Sequence, residues 1–248
     1  MYRNAPCYAV LAAGGSGARA GTGLPKQFRE LCGKTIIARA FELFEDHPAI
    51  DGVVTVINQR YAAEWAKISR NYKKTITTVN GEKTRQGSVF AGLIALKTRV
   101  AANKPALVLI HDAARPLTAY SIINGVIDAA FDCGGAVAAV PVTETVKISA
   151  GGFAEQTPDR DKLFFAQTPQ AFWLDALITA HETAAQQGFA GYDDASLIER
   201  LGGRVKLTAG SPDNIKITTN NDFKSAELIL RQIISNAEGG NHGPGYEQ

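Results

Sequence analysis

YAVLAAGGSGARAGTGLPKQF, residues 8–28, decides how this chain is read. Tyr8–Ala12 is a short apolar run, long enough for a buried strand, and Gly14 and Gly15 stop it far short of a signal peptide. Five glycines between Ala12 and Phe28 let the backbone turn and approach a ligand closely. Successive backbone N–H groups in such a loop form a nest for anions. Arg19 and Lys26 bracket the loop and supply two cations that can reach phosphate oxygens. A strand followed by backbone donors and two cations suits attack at a nucleoside triphosphate, where catalysis is mostly positioning and charge neutralisation. The plainer reading is a glycine-rich turn carrying two solvated cations.

Outward from this loop, apolar runs alternate with helical patterns. Val53–Ile57, Thr75–Val79, Ala106–Ile110 and Gly135–Val140 read as further strands. Continuous apolarity, as in Ala106–Ile110, is expected where a parallel sheet is covered on both faces. Lys34–His47, Ser88–Val100 and Ser121–Phe131 have helical spacing, with Ser88 expected as an N-cap. The alternation predicts an α/β three-layer sandwich with a mostly parallel sheet. Pro141–Ser149 and Phe153–Gln156, joined through Gly151-Gly152, predict a polar hairpin: a β-arm over about 141–160 whose edges need cover from a partner subunit. Phe164–Gln167, Trp173–Gln187, Asp193–Leu201, Val205–Leu207 and Asp222–Ser235 complete the pattern. Residues 1–236 are expected to form a single domain, with 237–248 a flexible tail.

Composition narrows the function classes. In 248 residues, 26 Lys and Arg stand against 24 Asp and Glu, so bulk charge argues for neither nucleic acid nor membrane binding. Cys7, Cys32 and Cys133 are far apart and odd in number, which excludes a disulfide scaffold or a cysteine-rich zinc module and suits a cytoplasmic protein. The longest apolar runs are too short to cross a bilayer.

A second chemical stretch, IHDAARP at residues 110–116, follows the Ala106–Ile110 run. Ligands of open α/β sheets bind outside the carboxyl ends of the strands. Asp112 there can hold Mg²⁺ with substrate phosphates completing its shell, and Arg115 can take a second phosphate. Alternatively Asp112 is a helix N-cap; His111 reads as part of a structural polar network. Trp65 and Trp173 read as core, and Asp193-Asp194 as acids at a helix N-terminus. Residues 15–20 also satisfy the dinucleotide fingerprint GxGxxA. That reading wants an acid after the second strand, where Asn58 stands, and an uninterrupted helix, where Pro25 stands. The P-loop pattern fails because Gln27 follows Lys26.

Taken in order, AAGGSGARAG…PKQF, HDAARP, PVTETVK, QTPQAF and SPDNIKIT resemble the 2-C-methyl-D-erythritol 4-phosphate cytidylyltransferase family from about Tyr8 to Ile234. The resemblance implies a Rossmann-like sheet of the nucleotide-diphospho-sugar transferase type. It implies transfer of a cytidylyl group from CTP to methylerythritol phosphate, releasing pyrophosphate, in non-mevalonate isoprenoid synthesis. Carried onto this sequence, Ala12, Ala13, Gly14, Gly15 and Gly17 would hold CTP, with Gly81, Arg85 and Ser88 of GEKTRQGS beside the cytidine. Arg19 and Lys26 would stabilise charge at the α-phosphate, and Asp112 would take Mg²⁺. Arg115, Thr145 and Thr168 would bind the sugar phosphate, while Arg160 and Lys216 position it. The resemblance further implies a homodimer whose arms reach the neighbouring site, so that Thr145 and Arg115 serve the partner. The loop departs from the family's usual AAGxGxRMG: it is one residue longer before the arginine, and Ala20 replaces methionine. Ribitol 5-phosphate is the alternative acceptor. A nicotinamide-dependent dehydrogenase and a silent nucleotide-binding module are the alternatives of other classes.

Overall fold

The computed structural model describes residues 2, 3, 5–14, 25–100 and 104–238. Gly15, Gly17 and Arg19, expected at the phosphates, lie outside the described residues, as does the tail from residue 239.

Strand β1 (Cys7–Ala13) leads through the short hairpin β2 (Glu30–Leu31) and β3 (Lys34–Thr35) into helix α1 (Ile36–Glu45). Then follow β4 (Gly52–Ile57), α2 (Ala62–Ser69), β5 (Thr75–Asn80), α3 (Arg85–Lys97), β6 (Leu107–Asp112), α4 (Tyr120–Cys133) and β7 (Gly135–Pro141). With β10 (Phe164–Trp173) and β11 (Lys206–Ala209), the seven-stranded sheet has the order β11-β7-β10-β6-β1-β4-β5. β1 pairs in parallel with β4 on one side and β6 on the other. The chain thus builds outward from β1 through β4 and β5, then returns to its opposite edge as β6. That reversal leaves a crevice at the carboxyl ends of β1 and β6, the usual place for a ligand in this architecture.

Alternation along the strands divides the core. Cys7, Ala9 and Leu11 of β1, with Leu107 and Leu109 of β6, pack under α1 and α4 around Phe41, Phe44, Val126 and Trp65. Val10, Val54, Val56, Val108 and Ile110 face the other way, against Val89 and Leu93 of α3 and Leu177 of α5 (Leu174–Gln186). Trp65 is buried, as expected, and its indole N–H donates to Thr78 Oγ1 at 3.1 Å. Helix α3 is held close to the sheet by a missing side chain: a Cβ on Gly92 would lie 2.6 Å from Val10 Cγ1 and 2.8 Å from Val56 Cγ2.

β8 (Ile148–Ala150) and β9 (Phe153–Gln156) form the expected hairpin, turned by Gly151 and Gly152 at φ +57° and +85°. A bond from Val142 N to Leu163 O closes its base. β10 (Phe164–Trp173) returns from this arm, which is why it runs antiparallel to both β7 and β6 in an otherwise parallel sheet. It is longer than Phe164–Gln167, and the following helix starts only at Leu174. α6 (Asp194–Arg200) and β11 (Lys206–Ala209) precede α7 (Asn220–Glu238), which runs past the expected end at Ser235 and two residues into the expected tail. Thr219 and Asp222 cap α7 reciprocally: Asp222 N donates to Thr219 Oγ1, and Thr219 N donates to Asp222 Oδ2 at 2.7 Å. Ala226 and Leu230 of that helix bury with Leu31, Ile36, Leu117 and Ile217 in a third cluster.

Because α3 carries site residues at its first turn, its seat on the sheet can be tested. Gly92→Val should destabilise the fold by about 1–3 kcal/mol through overpacking against Val10 and Val56. A urea midpoint unchanged from wild type would show that α3 does not rest as described.

Candidate active site

A cavity of about 500 Å³ opens at the ends of β1 and β6. Ala12, Ala13, Gly14, Lys26, Arg85, Ser88, Asp112 and Lys216, all expected at the site, line it. Asn58, Gln27, Glu82 and Lys83 line it as well and were not anticipated. Gly14 lines the cavity, and Gly81, which is not among the lining residues, packs closely against it. A Cβ at Gly81 would stand 2.9 Å from Gly14 Cα, and one at Gly14 would stand 3.2 Å from Gly81 Cα. Only glycines let these two loops approach so closely.

Ser88 does not cap α3. Thr84 does, its side chain accepting from Gly87 N at 3.0 Å, so the helix begins three residues earlier than expected. Ser88 lies inside the first turn, where Oγ donates to Thr84 O (2.8 Å) and accepts from Glu82 N (2.9 Å). It thereby shapes the 81–84 loop that lines the cavity.

Asp112 ends β6 with the same parity as Val108 and Ile110, so its side chain points to the α3 and α6 side of the sheet. There Arg85, the first residue of α3, donates from Nε to Asp112 Oδ1 at 3.1 Å. The same guanidinium donates from Nη1 to Asp194 Oδ2 at 2.8 Å. Lys216 Nζ sits 2.6 Å from Asp112 Oδ2. His181 Nε2 meets the other oxygen of Asp194 at 3.1 Å, with Phe90 stacked on the imidazole. A chain of polar contacts thus runs from the interior to the cavity: His181, Asp194, Arg85, Asp112, Lys216. Burial pushes the Asp112 carboxyl up, but Arg85 and Lys216 outweigh it and hold the group well below the usual carboxylate range. Burial likewise opposes ionisation of Asp194, and Arg85 with His181 prevails. Burial disfavours the Arg85 cation, yet its two carboxylates hold it firmly charged. Asp112 is therefore no helix N-cap. Arg85, expected beside the cytidine, lines the cavity with its guanidinium engaged by two carboxylates.

His111 has the opposite parity and is fully buried edge-on to Phe44. Its Nε2–H donates to Arg115 O at 2.9 Å, and burial lowers its pKa to about 4, so it is a neutral structural group as expected. Arg115 and Thr168 stand behind the cavity. Arg115 Nη1 donates to Asn214 O at 2.6 Å, which ties it to its own chain. Thr168 Oγ1 accepts from Asp112 N at 3.0 Å. That bond exists because the β10–β7 register shifts between Ala166 and Gln170, freeing Gln167–Pro169 from the ladder. Lys26 Nζ donates to Ile217 O at 2.7 Å, and Gln27 Nε2 to Ala13 O at 3.0 Å. Thr145 and Arg160 are exposed on the arm, where Arg160 Nη1 donates to Thr143 O, and neither lines this chain's cavity.

Asp193 and Asp194 show how a sequence reading can miss a site residue. Asp193 is indeed the N-cap of α6, accepting from Ser196 N at 3.0 Å. Asp194 is 1% exposed and faces Arg85, a pairing across more than one hundred residues that no local pattern signals.

The network makes two predictions. Arg85→Met should destabilise the protein by about 3–5 kcal/mol, because it strips buried carboxylates of their shared cation; equilibrium denaturation measures this, and a loss under about 1 kcal/mol would contradict the network. The folded pKa values of Asp112 and Asp194 lie below the ordinary 3.8. Their contribution to stability is then complete above about pH 4 and is lost as pH falls below it. Stability that stays flat from pH 5 to pH 2 would contradict this.

Residues 7–232 match the family described as IspD: 2-C-methyl-D-erythritol 4-phosphate cytidylyltransferase. A Symbiobacterium thermophilum protein named 2-C-methyl-D-erythritol 4-phosphate cytidylyltransferase is 40% identical, over 92% of this chain and 94% of its own. A "Bifunctional enzyme IspD/IspF" of Nitrobacter hamburgensis is 43% identical over 96% of this chain; the chain spans 58% of that relative's length. The crystal structure of 4-diphosphocytidyl-2C-methyl-D-erythritol synthase from Anaerococcus prevotii superposes with a TM-score of 0.80 at 28% identity, covering 92% of this chain and 99% of that one. The chain belongs to the IspD family of 2-C-methyl-D-erythritol 4-phosphate cytidylyltransferases.

Proposed function

We propose that this chain transfers the cytidylyl group of CTP to 2-C-methyl-D-erythritol 4-phosphate. The observation that carries the reading is the meeting of Lys26, Lys216 and Asp112 around one cavity at the β1–β6 crevice, beside the Gly14–Gly81 approach. An oxygen of the acceptor phosphate attacks the α-phosphorus of CTP in line. The new P–O bond forms as the bond to the β-phosphate oxygen breaks, and pyrophosphate leaves. The acceptor is already an anionic nucleophile, so the protein needs only to orient the two phosphates and offset their charge.

Gly14 with Gly15 and Gly17 would cradle the nucleotide through backbone N–H groups, with Arg19 and Lys26 at the α-phosphate. Gly81 and Ser88 would shape the base end. Lys216 can change partners: its side chain is 41% exposed, against 10% for Asp112, so Nζ can pass from the carboxylate to a substrate phosphate. Arg85 then remains as the internal counter-ion of Asp112. Among the described residues, no group of three or more His, Cys, Asp or Glu could hold a metal ion. The ionised Asp112 carboxylate at the cavity fits a Mg²⁺ held jointly with substrate phosphates. Asp112 would hold it, and the ion would supply further neutralisation of the triphosphate. Thr168 fixes Asp112 from behind, and Arg115 braces the loop that carries Lys216.

Thr145 and Arg160 fit an acceptor site completed by a second copy. The arm that bears them exposes Ile148 (46%) and Phe153 (81%), apolar surface that favours a homodimer. No helix among the described residues is long and apolar enough to cross a membrane; the odd, dispersed cysteines favour a cytoplasmic location.

Pyrophosphate release with CTP and Mg²⁺ tests the reading. Release is expected with methylerythritol 4-phosphate and not with ribitol 5-phosphate; release with ribitol 5-phosphate alone would keep the site and reassign the acceptor. Lys26→Ala should lower kcat by about 10²–10³-fold with little change in KM for CTP, as for loss of a transition-state electrostatic contact. A raised KM at unchanged kcat would make Lys26 a mere binding residue.

A further inference from the structure

We propose that Asn214 is the positioning residue that sets where the Lys216 ammonium stands. The inference rests on the reading of Lys216 given above and deepens it.

Asn214 lies in the segment between β11 and α7, outside helix and strand, and is 0% exposed. A buried amide in a loop is costly unless every polar atom is used. Here all are. Oδ1 accepts from Thr118 Oγ1 at 2.8 Å. Nδ2 donates to Gln167 Oε1 at 3.1 Å and to Thr168 O at 3.0 Å. The backbone N–H reaches Ser211 O at 3.1 Å, and the carbonyl accepts from Arg115 Nη1 at 2.6 Å. One residue therefore joins the β6–α4 loop, the freed part of β10 and its own loop.

Gln167 reinforces the joint. Its Nε2 donates to Ser211 O at 2.8 Å, and its Oε1 accepts from Ser211 N at 3.3 Å as well as from Asn214. Gly210 lets the loop come this near, because a Cβ there would collide with Gln167 Oε1.

Lys216 follows two residues later. Ile217, next along, is 2% exposed in the third core cluster; its N donates to Ala114 O at 2.9 Å and its O accepts from Lys26 Nζ. The backbone of Lys216 is thus pinned between Asn214 and Ile217. With its two neighbours in place, the side chain of Lys216 reaches Asp112 Oδ2. Among the described residues, Asn214 is not one that lines the cavity, so its effect on the reaction passes through the residues it places.

A double-mutant cycle separates positioning from general support of the fold. Asn214→Ala, Lys216→Ala and the double variant are compared for kcat, KM for CTP and folded fraction by circular dichroism. Asn214→Ala should lower kcat by about tenfold or more in folded protein, as misplaced catalytic groups do. KM for CTP should stay within about threefold. In the Lys216→Ala background the same change should cost less than about twofold, because the ammonium it positions is gone. A full, multiplicative loss in that background would overturn the proposal, as would wild-type kcat in Asn214→Ala. Should Asn214→Ala fail to fold, Thr118→Val removes one bond to the amide: lowered kcat, restored in Thr118→Ser and absent in the Lys216→Ala background, supports the proposal. Wild-type kcat in Thr118→Val would overturn it. Wild-type kcat in Lys216→Ala alone would instead overturn the role of Lys216, and this proposal with it.

Discussion

Asp112 is 7% exposed at the end of a central strand, and it is ionised. A carboxylate so placed must be paired and hydrogen-bonded, and much of the architecture around it answers that demand. The parity of β6 aims it at α3, whose first residue is Arg85. Arg85 in turn is balanced by Asp194 at the start of α6, and Asp194 by His181 of α5. The backbone N–H of Asp112 goes to Thr168, in the part of β10 that leaves the ladder. Elements far apart in sequence are thereby fixed relative to one oxygen pair at the mouth of the cavity.

The arrangement separates two kinds of cation. Arg85 is shared between two buried carboxylates and cannot leave without depriving both of their common cation. Lys216 holds the outer oxygen from a more exposed position, on a loop secured by buried amides. Under the proposed function, a triphosphate entering the cavity would meet cations already held in position by the fold, and reorganisation at the moment of reaction would be correspondingly small.

Much of the fold was legible in the sequence for one reason: parallel strands covered on both faces are continuously apolar. Val53–Ile57 and Gly135–Val140 match β4 and β7 to within a residue; Thr75–Val79 matches β5 as well, but as a half-polar edge strand read from its β-branched residues. β10 was cut short because Gln167, Thr168 and Gln170 interrupt its apolar pattern, and those polar residues are buried to serve Asp112, Asn214 and α6. Thr84 and Ser88 are equally good caps by type, and only the bond to Gly87 decides between them. At the site, the strand-end residues Ala12, Ala13, Gly14 and Asp112 were legible from their place after apolar runs. Asp194, His181 and the part played by Asn214 were not, because their partners lie on other elements. Arg160 and Thr145 were assigned by resemblance alone, and within one chain they remain on the arm.

Arg85 serves Asp112 from within, and the proposed function leaves the substrate phosphates to Lys26 and Lys216. A crystal structure with CTP bound tests it most directly. The account predicts that Arg85 still bridges Asp112 and Asp194, with the triphosphate between the Gly14 backbone and the two lysine ammonium groups. Arg85 swung away from Asp112 onto the nucleotide, with Lys216 left on the carboxylate, would contradict it.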